Sequence, residues 1–309
     1  MKNYSFGIIG AGNHFKKNIL PALNKIKSIK IDGYLLINQS KSKKPKYLKE
    51  NVFFKKKFDF VFISTPNIQH EKYIIKSLEN NFHTLCEKPI LTSSKNLSKI
   101  KNLSIKNKKI LFECFMYKYH NSFKYLEKII SKKIYGNPIY SIGRFTFPAL
   151  NKNNNRYNKN LGNGFIYDIV SYFVSLEFSL FENSKNLKIV NQKKIKENTN
   201  LRGSLLLKNN NFQKFYFWGE SQIYRNEIEI FFKKATVYFN FFFSKPKNKL
   251  PEIMVYKKNK TQNINLKIED HFFNMFLHIL KKYKNRKFQI DQLSLIEKQT
   301  KFLEKISKD

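Results

Sequence analysis

The sequence contains little cysteine and no long apolar segment, and these absences exclude several protein classes. Cys86 and Cys114 are the only cysteines among 309 residues, and both fall in or beside apolar segments. We therefore expect reduced core thiols and a cytoplasmic protein, and no disulfide framework. No apolar run approaches the ~20 residues that a membrane helix needs. The run Tyr4–Ile9 is also too short for a secretory signal.

Arginine, alanine and acidic residues are scarce as well, whereas lysine is abundant. The chain has 59 basic and 22 acidic residues, a formal net charge of +37. Such a charge suggests nucleic acid as a partner, because basic patches release counterions from phosphates. However, only five basic residues are arginine, the type that recognises guanine edges, and the lysines are spread over the whole chain. With only four alanines and many Asn, Ile, Phe and Lys residues, the composition indicates a coding bias. We expect no nucleic-acid partner.

The first element is the apolar strand Tyr4–Ile9, which runs into Gly10-Ala11-Gly12 and then into a helical apolar pattern. Strand, glycine turn and helix form the first unit of a dinucleotide-binding fold, in which the backbone approaches a pyrophosphate at a helix N-terminus. Gly-x-Gly alone is a weak motif, and Phe15 occupies the place of the usual third glycine. The residues expected to bind the cofactor here are Gly10, Gly12, Asn13 and His14.

A second strand is predicted over residues 31–38, followed by a loop rich in serine and lysine. An NAD site usually has an acid near this strand end, which binds the ribose 2′-hydroxyl, whereas a basic loop accommodates a 2′-phosphate. No acid is present here, so we expect NADP, with NAD as the alternative, and Asn38 among the cofactor contacts. The alternative explanation is an ordinary lysine-rich loop in a lysine-rich protein.

The order of strand, turn and helix then repeats. A buried strand over residues 58–63 leads through a turn into a helix over 68–80, and a strand over 82–86 runs into Glu87-Lys88-Pro89. Short links of this kind predict a parallel sheet with ligands at the carboxyl ends of its strands. A cis Lys88–Pro89 bond would aim Lys88 into a cleft. The expected cofactor contacts are Ser64, Thr65, Pro66, Asn67, His70, Glu87 and Lys88. For His70, capping or packing is the alternative.

Three of these segments together resemble the signatures of the Gfo/Idh/MocA oxidoreductases, namely residues 7–12, 59–70 and 86–89. They occur in the family's order and at similar spacings. The resemblance implies an N-terminal Rossmann domain that binds NAD(P) and a C-terminal α+β domain with a large, mostly antiparallel open sheet. The second domain carries the substrate site and commonly mediates oligomerisation. We therefore expect domains at residues 1–118 and 119–309, and a homodimer or homotetramer.

The second half of the chain extends this resemblance. Residues 113–120 are similar to a Glu-x-Phe-Met-x-x-x-His segment of the sugar-acting branches, and residues 156–172 to their Arg-Tyr, glycine-rich, Asp-x-x-x-Tyr segment. Asp168 and Tyr172 are four residues apart and would share one face of a helix. Residues 222–227 resemble a segment that reaches the substrate in nucleotide-sugar ketoreductases. The resemblance implies substrate contacts from Tyr117, His120, Arg156, Tyr157 and Tyr224.

Aromatic and partly alternating runs predict antiparallel strands over residues 201–207, 212–219, 227–232 and 235–239. The apolar run 238–243 is either sheet packed on a partner subunit or an ordinary core strand. Helices are predicted over 271–283 and 292–306. The six histidines do not cluster with acids or thiols at ligand spacing, so we expect no metal site.

Ketone reduction by a nicotinamide requires an acid that protonates the alkoxide. A tyrosine with its ordinary pKa near ~10 is too weak unless an ammonium group stabilises the phenolate. We therefore assign Tyr172 as proton donor, Lys88 as its tuner or alternate donor, and Asp168 as the group that positions them. Tyrosine instead of histidine at this place resembles the branch of glucose-fructose oxidoreductase and the nucleotide-sugar 3-ketoreductases.

The leading hypothesis is NADPH-dependent reduction of a keto group on a nucleotide-activated sugar, in carbohydrate biosynthesis. The first alternative is an NADP-dependent aldose or dihydrodiol dehydrogenase. The second is a non-catalytic nucleotide-binding sensor, which departures from the family pattern suggest. These departures are Phe15 for the third glycine, Asn121 where proline commonly follows the histidine, Asn163 within the glycine run, and Val170 where the family favours glycine.

Overall fold

The computed structural model describes residues 3–36, 47–151, 154, 157, 164–181, 188–195, 202–209, 212–246 and 249–308. The chain forms two compact units. The first unit combines Met1–Phe115 with Phe272–Asp309, and the second unit comprises Met116–His271. No helix within the described ranges is long and apolar enough to cross a membrane.

The first unit contains a parallel sheet of five described strands in the order β2-β1-β3-β4-β5. These strands are β1 Tyr4–Ile9, β2 Ile29–Leu35, β3 Phe60–Ile63, β4 His83–Cys86 and β5 Leu111–Glu113. All four residues of β3, Phe-Val-Phe-Ile, are buried. A parallel sheet covered by helices on both faces requires such continuous apolar strands. The predicted Rossmann-type arrangement is thus confirmed.

Helices connect and cover these strands. The first begins with a π-helical segment, Phe15–Ile19, and continues as α1, Leu20–Asn24. The other helices are α2 Glu50–Lys55, α3 His70–Glu79, α4 Leu97–Lys106, α7 His271–Lys282 and α8 Arg286–Lys308. A short 3-10 turn, Asn67–Gln69, precedes α3.

The C-terminal residues group with the first unit, whereas the sequence placed all residues after 118 in one domain. Leu293 and Ile296 of α8 belong to the same hydrophobic cluster as Ile9 of β1 and Val61 of β3. Burying these apolar side chains ties α8 to the parallel sheet. The first crossing between the units falls at residues 115 and 116, three residues before the expected boundary.

The second unit is built on an eight-stranded described sheet in the order β13-β12-β11-β10-β6-β9-β8-β7. Its strands are β6 Pro138–Phe147, β7 Lys188–Ile195, β8 Arg202–Asn209, β9 Phe212–Glu220, β10 Arg225–Phe232, β11 Thr236–Asn240, β12 Glu252–Lys257 and β13 Lys260–Ile264. All neighbours are antiparallel except β6 and β9. This sheet confirms the predicted α+β second domain.

Two helices of this unit lie in or directly after the sequence segments that carry the expected catalytic and substrate residues. A 3-10 turn, Met116–Tyr119, leads into α5, Asn121–Ser131. A π-helical segment, Ile166–Val170, leads into α6, Ser171–Leu180. Phe173 of α6 stacks on Tyr216 of β9 with ring centroids 4.4 Å apart, so α6 packs on the sheet.

The apolar run 238–243 is only partly a strand, because β11 ends at Asn240. Phe242 and Phe243 are buried within the second unit. The ring of Phe243 stacks on Phe145 of β6 at 6.2 Å. The end of this run therefore packs in the core of its own unit, which agrees with the second of the two alternatives.

Candidate active site

Strand β1 ends in a turn whose two glycines have different surroundings. Gly10 has φ +82°, and a Cβ there would lie 2.6 Å from the carbonyl oxygen of Ser64. Only glycine fits this position without strain. A Cβ at Gly12 would meet nothing within 4 Å. The turn is therefore closed against the protein at Gly10 and open at Gly12, which is the arrangement that lets a phosphate group approach the backbone.

Phe15, which replaces the usual third glycine, lies in the protein core. Its side chain is buried and packs on Tyr34 of β2 and Phe62 of β3, with ring centroids 6.2 and 6.1 Å away. The third glycine of the motif normally allows close packing of helix and strand. Here a phenylalanine at the start of the π-helical segment fills that space, and the glycine turn itself stays open.

His14 connects this turn to the Glu87-Lys88-Pro89 corner that follows β4. Its Nδ1 accepts a hydrogen bond from the Asn18 amide at 3.2 Å, so the ring proton is on Nε2. Nε2 donates to the Glu87 carboxylate at 3.3 Å. The next peptide bond, Lys88–Pro89, is cis, as the sequence suggested. The structure thus brings His14 and Glu87 together, and Lys88 is half-buried beside them in the chain.

His70 is completely buried between two loops of the same edge. Its Nδ1 lies 2.8 Å from the carbonyl oxygen of Pro89, and its Nε2 lies 3.0 Å from that of Thr65. Burial lowers the pKa of His70, although both carbonyls and Glu87 act in the opposite direction. The neutral ring has one proton, so it donates to one of the two carbonyls. This position agrees with the packing alternative for His70.

The remaining expected cofactor contacts follow β3. The Ser64 amide donates to the carbonyl of Ile9 at 2.8 Å, Thr65 is buried, and Pro66 precedes the 3-10 turn that begins at Asn67. Because β1, β3 and β4 are parallel neighbours, the residues that follow them share one edge of the sheet. We call residues 10–14, 64–67 and 87–89 the carboxyl edge. Asn38 lies outside the described residues.

Tyr172 and Asp168 lie on one continuous helical segment of the second unit, as predicted. Tyr172 is buried, and its hydroxyl group donates to the Met116 sulfur at 3.6 Å. Its ring lies 5.7 Å from both Tyr117 and Phe145. Asp168 is half-buried in the π-helical segment. An apolar and aromatic wall therefore surrounds the tyrosine, with a weak acceptor at its hydroxyl group.

His120 caps the N-terminus of α5. Its Nδ1 accepts a hydrogen bond from the Ser122 amide at 3.1 Å. Burial, together with the charges of Lys245, His271 and Lys124, lowers the pKa of His120 to about 3. The ring is therefore neutral near pH 7, with its proton on Nε2. Among the described residues, this buried Nε2 has no hydrogen-bond partner.

Two other expected substrate residues make contacts inside the second unit. The Tyr117 hydroxyl group donates to Ser175 of α6 at 3.1 Å. The Tyr157 hydroxyl group donates to Glu220 at 2.8 Å and accepts from the Leu150 amide at 3.0 Å. Both tyrosines thus hold chain segments together. Arg156 and Asn163 lie outside the described part of the chain.

Tyr224 differs from these tyrosines because 43% of it is exposed. Its hydroxyl oxygen accepts from Asn226 at 3.0 Å, and its ring stacks on Phe241 at 6.0 Å. The Phe145 ring contacts both Tyr224 and Tyr172, with centroids 6.2 and 5.7 Å away. The exposed Tyr224 is thus separated from Tyr172 by one aromatic ring.

The sequence analysis missed a buried charged network behind α6. Lys214 and Glu177 are almost completely inaccessible and form an ion pair at 2.5 Å. The Tyr216 hydroxyl group also donates to Glu177. The signal was available in β9, because Lys214 has the same parity along the strand as the inward-facing Phe212 and Tyr216.

The described residues contain no group of three or more His, Cys, Asp or Glu side chains that could hold a metal ion. Burial raises the pKa of the thiols of Cys86 and Cys114, and both cysteines are free. Reduced core thiols were expected, and the burial of both agrees with this.

Residues 4–115 match the model of the Gfo/Idh/MocA family, described as an oxidoreductase family with an NAD-binding Rossmann fold. One curated relative is dTDP-3,4-didehydro-2,6-dideoxy-alpha-D-glucose 3-reductase from Actinomadura kijaniata, 25% identical over 114 residues, or 37% of this chain and 34% of the relative. Another is scyllo-inositol 2-dehydrogenase (NADP(+)) from Bacillus subtilis, 27% identical over 142 residues, or 42% of each chain. These matches span less than half of either relative.

The fold is similar to that of the 3-ketoreductase from Actinomadura kijaniata in complex with NADP and TDP-benzene. The TM-score is 0.90 at 17% identity, covering 98% of this chain and 96% of that one. Variants of that reductase with one tyrosine changed to phenylalanine, or one lysine to alanine or glutamate, were crystallised in the same complex. The aldose-aldose oxidoreductase from Caulobacter crescentus, complexed with glycerol, gives a TM-score of 0.84 at 14% identity, with coverages of 99% and 97%.

The Rossmann sheet with its glycine turn, followed by a large open sheet, defines the two-domain fold of these oxidoreductases. In sequence, this resemblance is carried by residues 4–115, which match the model of the Gfo/Idh/MocA oxidoreductase family.

Proposed function

We propose that the protein is an NADPH-dependent oxidoreductase that reduces a keto group on a nucleotide-activated sugar. The observation that carries this proposal is the open side of Gly12, next to a tight turn at Gly10 and on the same sheet edge as Lys88. A dinucleotide placed at this turn would direct its reactive end along that edge. The 3-ketoreductase relative and the NADP complex of the similar structure support the choice of substrate and cofactor.

The cofactor would be held by the carboxyl edge. Gly12 and the helix turn from Asn13 would receive the pyrophosphate, because the space at Gly12 is open and backbone amides are available at a helix start. The preference for NADP over NAD rests on the absence of an acid after β2 and on the relatives. When bound, NADPH supplies the hydride.

Tyr172 would supply the proton to the alkoxide oxygen. Its hydroxyl group contacts the Met116 sulfur, which is a weak acceptor, so a substrate oxygen can take over this hydrogen bond at little cost. Lys88 would stabilise the phenolate that remains, or donate the proton in its place, and Asp168 would position the two groups. The crystallised tyrosine and lysine variants of the similar reductase involve the same two residue types.

His120 would bind a substrate oxygen through its Nε2–H group. This buried donor has no partner among the described residues, and a neutral imidazole can fill that role over the whole neutral pH range. Tyr224 would contact the substrate from the exposed side of the aromatic wall. Tyr117 and Tyr157 would hold the surrounding segments in shape through their hydrogen bonds.

Three departures from the family pattern have structural explanations, and this favours an enzyme over a non-catalytic sensor. Phe15 and Val170 are buried core residues. Asn121 starts α5, and its amide donates to the carbonyl of Lys267 at 3.3 Å. None of the three side chains fills the open side of the glycine turn.

We also propose a homo-oligomer that forms through the outer face of the eight-stranded sheet. The outward positions of β6, β9, β10, β11 and β12 carry no lysine, and their two arginines, Arg144 and Arg225, both form ion pairs with Glu227. Tyr140, Phe215, Phe217 and Tyr256 are exposed there. A second copy of so cationic a chain would be repelled by a lysine-rich face, whereas an aromatic, lysine-free face suits it. Light scattering of Phe215→Glu/Phe217→Glu should show a monomer, and an unchanged mass would reject this face.

A substrate panel with purified protein tests the proposed reaction. We expect NADPH oxidation with 3-keto or 4-keto nucleotide sugars, and little reduction of NADP by free aldoses or cyclic diols. Turnover of a free sugar with NADP, and none with keto nucleotide sugars, would support the dehydrogenase alternative. Binding of NADPH without turnover of any of these compounds would support the sensor.

A further inference from the structure

A second concave site lies in the first unit, at the sheet edge opposite the carboxyl edge. It is a cavity of about 560 Å³. Asp59 immediately precedes β3 and His83 begins β4, so the amino ends of these strands form one wall. Lys109, after α4, and Arg286, at the start of α8, also line it. We call this site the basal cavity.

The charge of the basal cavity is strongly one-sided. Lys108, Lys109, Lys284 and Arg286 line it, against a single carboxylate, Asp59. Within the described residues, none of the four cations has a carboxylate within 4.0 Å. Lysine is abundant throughout this chain, so charge alone does not mark a site. Three lysines and one arginine around one cavity do mark a site, because a concave, low-dielectric wall focuses their field.

Arg286 is held in place by buried groups. It donates to the side-chain oxygen of Gln289 at 3.0 Å, and Gln289 in turn donates to the carbonyl oxygen of Tyr283 at 2.6 Å. Gln289 is buried, so this chain of hydrogen bonds fixes the guanidinium group from inside. Arg286 is also the first residue of α8, a helix of 23 residues, whose positive dipole end lies at the same cavity.

The floor of the basal cavity is aromatic. Tyr283 is buried, and its ring meets the ring of His83 edge to face at 4.8 Å. A bare anion would need only the cations, whereas a volume of about 560 Å³ lies within the ordinary range for organic ligands of roughly 300–1,000 Å³. The cavity therefore combines anchors for an anion with an apolar surface for an organic group.

We propose that the basal cavity binds a phosphorylated small molecule, with the phosphate group at Lys109 and Arg286 and the organic part against Tyr283. This site is separate from the carboxyl edge, because the amino ends and the carboxyl ends of parallel strands lie at opposite edges of the sheet. It does not depend on the proposed reaction.

Isothermal titration with adenosine monophosphate, glucose 6-phosphate and inorganic phosphate tests this site, each with and without NADPH. The test variant is Lys108→Gln/Lys109→Gln, and the control is Lys27→Gln/Lys95→Gln, which removes the same charge at exposed positions outside the cavity. We expect one of the organic phosphates to bind more tightly than inorganic phosphate, to the same extent with NADPH. The test variant should bind it about fivefold more weakly or worse, and the control should be unchanged.

Three results would overturn the proposal. The first is no binding of any probe at low ionic strength, in a protein whose thermal unfolding shows it to be folded. The second is an equal loss of affinity in the test and control variants, which would indicate diffuse attraction to the cationic surface. The third is displacement of the probe by NADPH, which would place it at the carboxyl edge.

Discussion

Replacing each glycine of the turn by alanine should separate the stability of the fold from nucleotide binding. At Gly10, alanine must adopt φ +82° with a Cβ 2.6 Å from the carbonyl oxygen of Ser64. The left-handed backbone costs about 1–2 kcal/mol, and relieving the overlap adds about 1–3 kcal/mol. Gly12→Ala places its Cβ in open space, so the fold should be unchanged or slightly more stable, by up to about 1 kcal/mol.

Nucleotide binding should depend on the other glycine: Gly12→Ala should weaken NADPH binding although it leaves the fold stable. The added methyl group at residue 12 occupies the space through which a pyrophosphate reaches the backbone amides. Losing one charge-assisted hydrogen bond of about 1.5–3 kcal/mol weakens binding about tenfold or more. Urea unfolding and NADPH fluorescence titration measure the two quantities in the same samples. Gly12→Ala with unchanged NADPH affinity, or Gly10→Ala with wild-type stability, would refute this description of the turn.

Three further predictions concern buried side chains. Phe15→Gly, which restores the usual third glycine, should lower the free energy of unfolding by about 3–5 kcal/mol without improving NADPH affinity; tighter binding would contradict its core role. Glu177→Leu should cost about 3–5 kcal/mol in urea unfolding because Lys214 stays buried and unpaired, and Glu177→Leu/Lys214→Met should recover most of it; equal losses would contradict the ion pair. The folded pKa of His120, about 3, is below the unfolded value of ~6.5, so stability is complete above pH 6.5 and falls as the pH decreases. Between pH 7 and 5 the wild type should lose about 2 kcal/mol more than His120→Asn, and parallel curves would contradict it.

The sequence predicted the parallel sheet well because its strands are short, continuously apolar and followed by distinctive turns. It was less successful for the C-terminal helices. Helix α8 begins at Arg286, whereas the sequence predicted a start at 292. The first turn was missed because it is largely polar and basic. The amphipathic pattern of α8 shows that one face is buried, but not against which core. Leu293 packs with Ile9 and Val61, more than 200 residues earlier in the chain.

Side-chain direction limited the prediction of the site. His70 was expected to contact the cofactor, with capping or packing as the alternative. Its two ring nitrogens contact the backbone carbonyls of Pro89 and Thr65, and contacts of this kind cannot be read from residue types. The sequence showed Phe15 only as a departure from the nucleotide-binding motif, whereas in the structure its side chain points into the core. The roles of Lys88 and Tyr172 stay predictions, since they depend on residue type and chemistry.

The most direct test of the central claim is a double-mutant cycle on kcat for NADPH-dependent reduction of a keto nucleotide sugar. The variants are Tyr172→Phe, Lys88→Met and the combination of both. If Tyr172 donates the proton and Lys88 acts through it, Tyr172→Phe should lower kcat about 10²-fold or more, and the added Lys88→Met should change it little further. Wild-type kcat in Tyr172→Phe, or fully multiplicative losses in the double variant, would contradict the account.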